Sequence, residues 1–143
     1  MNESLFPVED YVIQRGRMML LEAIDEVDAA RAVARSVTTP DWPLFENDAI
    51  NPIVIVELVA QTAGVSLRWE EIQKHKGRKE KGGGLIVGVK KAVFFVPAIP
   101  IDAAIVTCSK KTYGHMEYAE YFGFSKMGDV RLGEVTLQVL RTN

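Results

Sequence analysis

The stretch INPIVIVELVAQTAG, Ile50–Gly64, decides how this chain is read. Asn51 is a good helix cap and Pro52 suits a first helical position. The residues after them predict a helix from Asn51 to about Lys76. Its first half is apolar nearly all round, which marks a helix buried by the rest of the protein. Its second half, with Arg68, Glu70, Glu71, Gln73 and Lys74, is wet. Glu57 interrupts the apolar half, near the second turn, and Gln61 lies four residues on, so both share one face. Burying an unpaired carboxylate costs several kcal/mol. Glu57 must therefore be paired, protonated or wet. A structural pair with Arg15 or Arg17 and a chemical role both fit at this point.

The flanking segments supply what buries the helix. Phe6–Gln14 reads as a short opening helix, and Met18–Val27 and Ala29–Thr38 as strands separated by Asp28. Pro40 and Pro43 mark a loop over Thr39–Asn51. After the polar stretch His75–Gly84 come four strand candidates: Leu85–Val96, Asp102–Lys111, Met116–Lys126 and Val130–Arg141. Pro97 and Pro100, Tyr113-Gly114 and Met127-Gly128-Asp129 punctuate them. Leu132, Val135, Leu137 and Val139 come close to alternation, as in a half-buried antiparallel strand. Two strands, one long buried helix and four strands predict an α+β fold, a curved antiparallel sheet wrapped around the helix.

The composition bounds the function. The chain has 143 residues, 48% hydrophobic and 25% charged. That suits one globular domain, 1–143, with a real core. The net charge of -2 argues against a nucleic-acid binder. Cys108 is the only cysteine, so no internal disulfide is expected and no Cys/His metal spacing exists. Cys108 is expected to be buried and inert. Met1–Asp10 has no apolar core and does not read as a signal peptide. The longest apolar run, Ile53–Val56, is far short of the roughly 20 residues a membrane span needs. These features predict a cytoplasmic protein without membrane insertion. Gly82–Gly84 lacks the ending of a phosphate loop.

ELVAQTAG, Glu57–Gly64, resembles the E-A-M-A-Q-x-x-G core of the β-hydroxyacyl-acyl carrier protein dehydratases, the FabZ and FabA group. QRGRMMLLEAIDEVD, Gln14–Asp28, is similar to that family's L-P-H-R-x-P-x-L-L-V-D-R-V. VGVKKAVFFVPAIPID, Val87–Asp102, resembles G-I-D-K-A-R-F-x-x-P-V-x-P-G-D, and GEVTLQ, Gly133–Gln138, resembles the closing C-E-A-x-x strand. The resemblance covers Tyr11 to Arg141. The dehydratase-like proteins of aryl-polyene gene clusters are the nearer branch.

The resemblance implies the hot-dog fold and an active site built where two subunits pair edge to edge. The partner is then a second copy, giving a homodimer or higher even oligomer. Leu85–Val96 is the expected seam, because a long apolar edge invites association. It implies an acyl thioester substrate on acyl carrier protein, with neither cofactor nor metal. Glu57 becomes the catalytic carboxylate and Gln61 its helper. The backbone N–H groups of Ile53 and Val54 become donors to the thioester carbonyl.

One part of the pattern is missing. The family's histidine, in G-H-F-P-x-x-P, falls in a window that here reads WPLFENDAINP, Trp42–Pro52. His75 and His115 match neither family position. Glu46 and Asp48 on the same loop are candidate replacements, or simply a solvated acidic loop. Three functions stay open: a dehydratase with altered acid–base partners, a hot-dog thioesterase that uses one carboxylate to activate water, and a non-catalytic acyl or carrier-protein binding module. Lys74, Lys76, Arg78, Lys79 and Lys81 form either a docking patch for an acidic carrier protein or a solvated loop. Phe94 and Phe95 suit the core, an interface or an acyl tunnel.

Overall fold

The computed structural model describes residues 5–12, 14, 16–75 and 83–142. A short helix α1, Val8–Tyr11, opens the described chain and is shorter than the expected Phe6–Gln14. A hairpin of β1, Ala23–Val27, and β2, Arg31–Val37, follows. Asp28 turns it by accepting from the N–H groups of Ala30 and Arg31 at 2.8 and 2.9 Å. The expected strand over Met18–Val27 begins only at Ala23. Gly16–Met18 is instead a 3-10 turn, and the segment after it is tied to a helix side chain.

A small hairpin, β3 Phe45–Glu46 and β4 Ala49–Ile50, occupies the expected loop. Asn47 and Asp48 form its turn with φ of 51° and 60°, a conformation these two residue types tolerate well. The long helix α2 spans Val54–His75, 22 residues. Asn51 caps it as expected, its Oδ1 accepting from Ile53 N–H at 3.0 Å. The regular helix starts two residues later than Pro52, so Glu57 lies in the first turn rather than near the second. No described helix is long and apolar enough to cross a membrane.

Strands β5 Gly83–Phe94, β6 Ala104–His115, β7 Tyr118–Met127 and β8 Val130–Thr142 complete one six-stranded antiparallel sheet. The order is β1-β2-β6-β7-β8-β5. This is the hot-dog architecture, a curved sheet around one helix. The turn placed at Tyr113-Gly114 falls at Met116-Glu117 instead. Tyr113 and Gly114 still pair with Glu120 and Ala119, past an irregularity after Lys111 that keeps the ladder going. The β7–β8 turn falls where expected, with Gly128 at φ 60°.

The helix sits deep in the sheet at two glycines. A Cβ on Gly123 of β7 would lie 2.5 Å from Val59 Cγ1 and 2.9 Å from the Cys108 carbonyl. A Cβ on Gly133 of β8 would lie 2.8 Å from Ile55 Cδ1. Ile55 and Val59 thus drop into notches in the sheet, and both are 0% exposed. Strand β5 lies at a sheet edge with Ile86, Val87, Val89 and Phe94 exposed, as is Phe95 just beyond it.

Two measurements check this core. Gly123→Ala is expected to destabilise by about 1–3 kcal/mol, because one of the blocking atoms is backbone. Gly64→Ala on α2, where a Cβ meets nothing within 4 Å, is expected to be neutral or stabilising by up to about 1 kcal/mol in urea melts.

Tyr121, fully buried on β7, has its hydroxyl pushed up to about 12, by burial first and then by Glu70, with Arg141 opposing. The folded chain therefore keeps this proton longer than the unfolded chain does. Its contribution is complete below the ordinary tyrosine value of 10.0 and is lost as pH rises to about 12. Urea midpoints are expected to fall between those limits, by less in Tyr121→Phe.

Candidate active site

The helical repeat aims Glu57. Ile55 and Val59 each lie two residues from it, about 200° away around α2. Since those two point into the sheet, Glu57 points away from it, towards the chain that crosses the helix between Gln14 and Leu20. Gly16 lies in that segment at φ 63°, a conformation glycine adopts without strain.

Two amides meet the carboxylate there. Gln14 Nε2 donates to Glu57 Oε1 at 3.2 Å, and Gln61 Nε2 donates to the same oxygen at 3.1 Å. Gln61 is 3% exposed, and its orientation is fixed by two backbone partners. Leu20 N–H donates to its Oε1 at 3.0 Å, and its Nε2 donates to the Met18 carbonyl at 2.6 Å. All three groups need the amide the same way round. Among the described residues, no hydrogen bond or ion pair is recorded at Glu57 Oε2.

The structural pairing considered for Glu57 is not with Arg17, whose Nε donates to the Asp41 carbonyl at 3.2 Å. Arg15 lies outside the described residues. Gln61 takes the helper position expected of it. Gln14 was not foreseen. Its only signal was that it stands beside Arg15 in the early motif.

The other candidates lie apart from this pair. Glu46 is exposed and accepts from Asn51 Nδ2 at 2.9 Å, which braces the helix cap. Asp48 is exposed in the β3–β4 turn. Among the described residues no bond joins either to Glu57. The N–H groups of Ile53 and Val54 are both engaged, by the Asn51 side chain and by the Asn51 carbonyl at 3.1 Å.

Neither histidine is near. His75 is eighteen residues along α2, about 27 Å from Glu57. His115 ends β6 beside Met116, whose carbonyl is held by Arg141. Arg141 also pairs with Glu70, thirteen residues or about 20 Å up the helix from Glu57. Cys108 is half-buried rather than buried as expected, and burial pushes its thiol up. Among the described residues no cluster of metal-binding side chains occurs. A cleft of about 430 Å³ is lined by residues including Met19, Leu20, Val37 and Trp42. Neither Glu57 nor Gln61 lines it. Most of the basic stretch falls at 76–82, outside the described residues.

The sequence model of the ApeP-like family, described as ApeP dehydratase, matches residues 6–143. The chain belongs to the ApeP-like dehydratase family. No curated protein matches the sequence. Among solved structures, this ApeP-like chain is similar to the dehydratase heterocomplex ApeI:P from Xenorhabdus doucetiae, at TM-score 0.82 and 19% identity, covering 96% of this chain and 92% of that one. It is also similar to Cj0977, a sigma28-regulated virulence protein from Campylobacter jejuni, at TM-score 0.71 and 14% identity, covering 95% and 87%. A hypothetical thioesterase from Streptococcus pneumoniae, solved with coenzyme A, gives TM-score 0.65 and 10% identity, covering 84% of each chain. At these identities the neighbours establish the hot-dog fold of the ApeP-like chain.

The Gln61 network carries a stability prediction. Gln61→Leu strands a buried N–H at Leu20 and the carbonyl of Met18. The Leu20 N–H is the buried one and costs about 1–3 kcal/mol if left unpaired, whereas exposed Met18 can turn its carbonyl to water. Denaturant unfolding is expected to show a loss in that range, larger than for a substitution at exposed Asp48.

Proposed function

We propose that this chain is the carboxylate-bearing member of a hot-dog dehydratase pair, acting on a 3-hydroxyacyl thioester carried by acyl carrier protein. One observation carries the reading. A half-buried carboxylate on the central helix accepts on one oxygen from two neutral amides, Gln14 and Gln61. Neutral donors hold a carboxylate in place without neutralising its charge, which suits a proton-transfer group.

Dehydration removes a proton from C2 and breaks the C3–O bond, and the departing hydroxyl takes a proton to leave as water. The step needs a base and an acid. Glu57 supplies one of them. The missing histidine leaves the other to a second hot-dog subunit docked along β5. A second copy of this chain, by symmetry, offers another Glu57 and the same histidine-free window. A non-identical subunit completes the pair. The reading is supported by a dehydratase heterocomplex, ApeI:P, of the same architecture. In this reading the thioester carbonyl replaces the Asn51 side chain at the Ile53 N–H, beside Val54 at the helix start. Glu46 braces the cap and Asp48 stays in solvent.

A second reading rests on Oε2, to which no described residue bonds. A single carboxylate with an accessible oxygen suffices to activate water on a thioester, which is thioesterase chemistry. The two reactions separate cleanly. A dehydratase, run in reverse on a crotonyl thioester, removes enoyl absorbance without freeing thiol. A thioesterase frees thiol from saturated acyl thioesters as well.

The expected result is enoyl hydration by this chain together with its partner subunit, little by this chain alone, and no thiol release. Glu57→Gln is expected to lower the rate by about 10²-fold or more with the melting temperature nearly unchanged. Thiol release without hydration favours the thioesterase. Acyl thioester binding with neither reaction leaves a binding module. A large fall in melting temperature with activity intact makes Glu57 structural.

A further inference from the structure

We propose that Gln14 is a positioning residue, which with Gln61 forms an amide clamp that dedicates Oε1 of Glu57 to the protein and presents Oε2 to the reaction. The inference rests on the reading of Glu57 as the catalytic carboxylate.

The two oxygens of a carboxylate are chemically equal until something distinguishes them. Rotation about the last side-chain bond exchanges them, and that torsion is broad in glutamate. A proton-transfer group has to be held within a fraction of an ångström to act well. Gln61 alone gives one donor from the same helix. Gln14 gives a second donor from the crossing segment, to the same oxygen. With Oε1 fixed from two elements, rotation that swaps the oxygens breaks two hydrogen bonds at once.

The residue type matters as much as the contact. An arginine at position 14 offers a planar fork and tends to grip both oxygens of a carboxylate. That grip neutralises the charge and closes Oε2. A glutamine is neutral, and a single N–H of its amide reaches Oε1. The crossing segment is itself pinned, because Gln61 bonds the backbone at Met18 and Leu20. Helix, segment and carboxylate therefore form one closed unit that includes Gly16.

The test compares Gln14→Leu, Gln14→Arg and Glu57→Gln in the chain paired with its partner subunit, using hydration of a crotonyl thioester. Gln14→Leu is expected to lower kcat about 10-fold, with KM within twofold and the melting temperature lower by about 3–10 °C, as loss of one hydrogen bond to a charged group implies. Gln14→Arg is expected to be more stable than Gln14→Leu and yet less active. That reversed order is the signature of positioning, since a purely structural role makes the arginine variant the better one. Wild-type kcat in Gln14→Leu, or an arginine variant as active as wild type, overturns the proposal. Full activity in Glu57→Gln instead removes the reading beneath it. Independently of turnover, a crystal structure of Gln14→Leu is expected to show the Glu57 carboxylate in more than one orientation. A single orientation identical to wild type overturns the clamp.

Discussion

The seating of α2 in the sheet governs everything else in this molecule. Two branched side chains, Ile55 and Val59, sit where Gly133 and Gly123 remove a Cβ from the sheet. Neither can rotate away without opening a hole in a fully buried layer. Because a helix turns about 100° per residue, fixing Ile55 and Val59 fixes Glu57 on the opposite side. The carboxylate cannot reach the sheet for a partner. Its partners must come from the chain that crosses the helix on its far side, and that is where Gln14, Met18 and Leu20 lie.

A half-buried carboxylate needs hydrogen bonds, but it does not need a cation. Surface pairs elsewhere in the chain show the alternative. Arg35 grips Asp25 through two nitrogens, at 2.7 and 2.9 Å, and that bond raises the arginine pKa. At Glu57 the described donors are amides, and both go to one oxygen. Gln61 gains its rigidity by serving the backbone at the same time. A side chain that satisfies two main-chain groups cannot reorient to follow the carboxylate, so the carboxylate follows it.

The helix and the strands were legible because their signals are local. The apolar run from Ile53, the Asn51 cap and the alternation in Leu132–Val139 each report on neighbours a few residues away. The long helix, the six main strands and the Gly128 turn lie close to where those signals put them. Glu57 was legible as an anomaly, a charge inside an apolar helix. Its partner Gln14 was not, because forty-three residues separate the two and no local pattern records the contact. The same holds for Gly123 and Gly133, whose meaning depends on which helix residue lands on them. Tyr113-Gly114 misled because strand pairing with Glu120 and Ala119 overrode a good turn dipeptide. Met18–Glu22 misled because a side chain, Gln61, holds what its composition assigns to a strand.

The edge strand fits the same logic. Sheets usually blunt an exposed edge with charge, and lysine is the common choice. Here Lys90 is turned across the sheet, its ammonium 3.3 Å from Glu120, whose carboxylate also accepts from Tyr118 at 2.6 Å. That pairing draws Lys90 towards β7, while Lys91 beside it stays exposed on the edge strand. Two register shifts, between Ile86 and Gly88 and between Val89 and Lys91, reshape the strand without covering its apolar side chains. Ile86, Val87, Val89 and Phe94 stay in solvent, with Phe95 after them. An edge of this kind invites pairing with another chain. Under the proposed function the site makes the same demand in chemical terms, since Glu57 would be one half of an acid–base pair. On that proposal, a cover for β5 that also carries the second proton-transfer group answers both demands with a single contact.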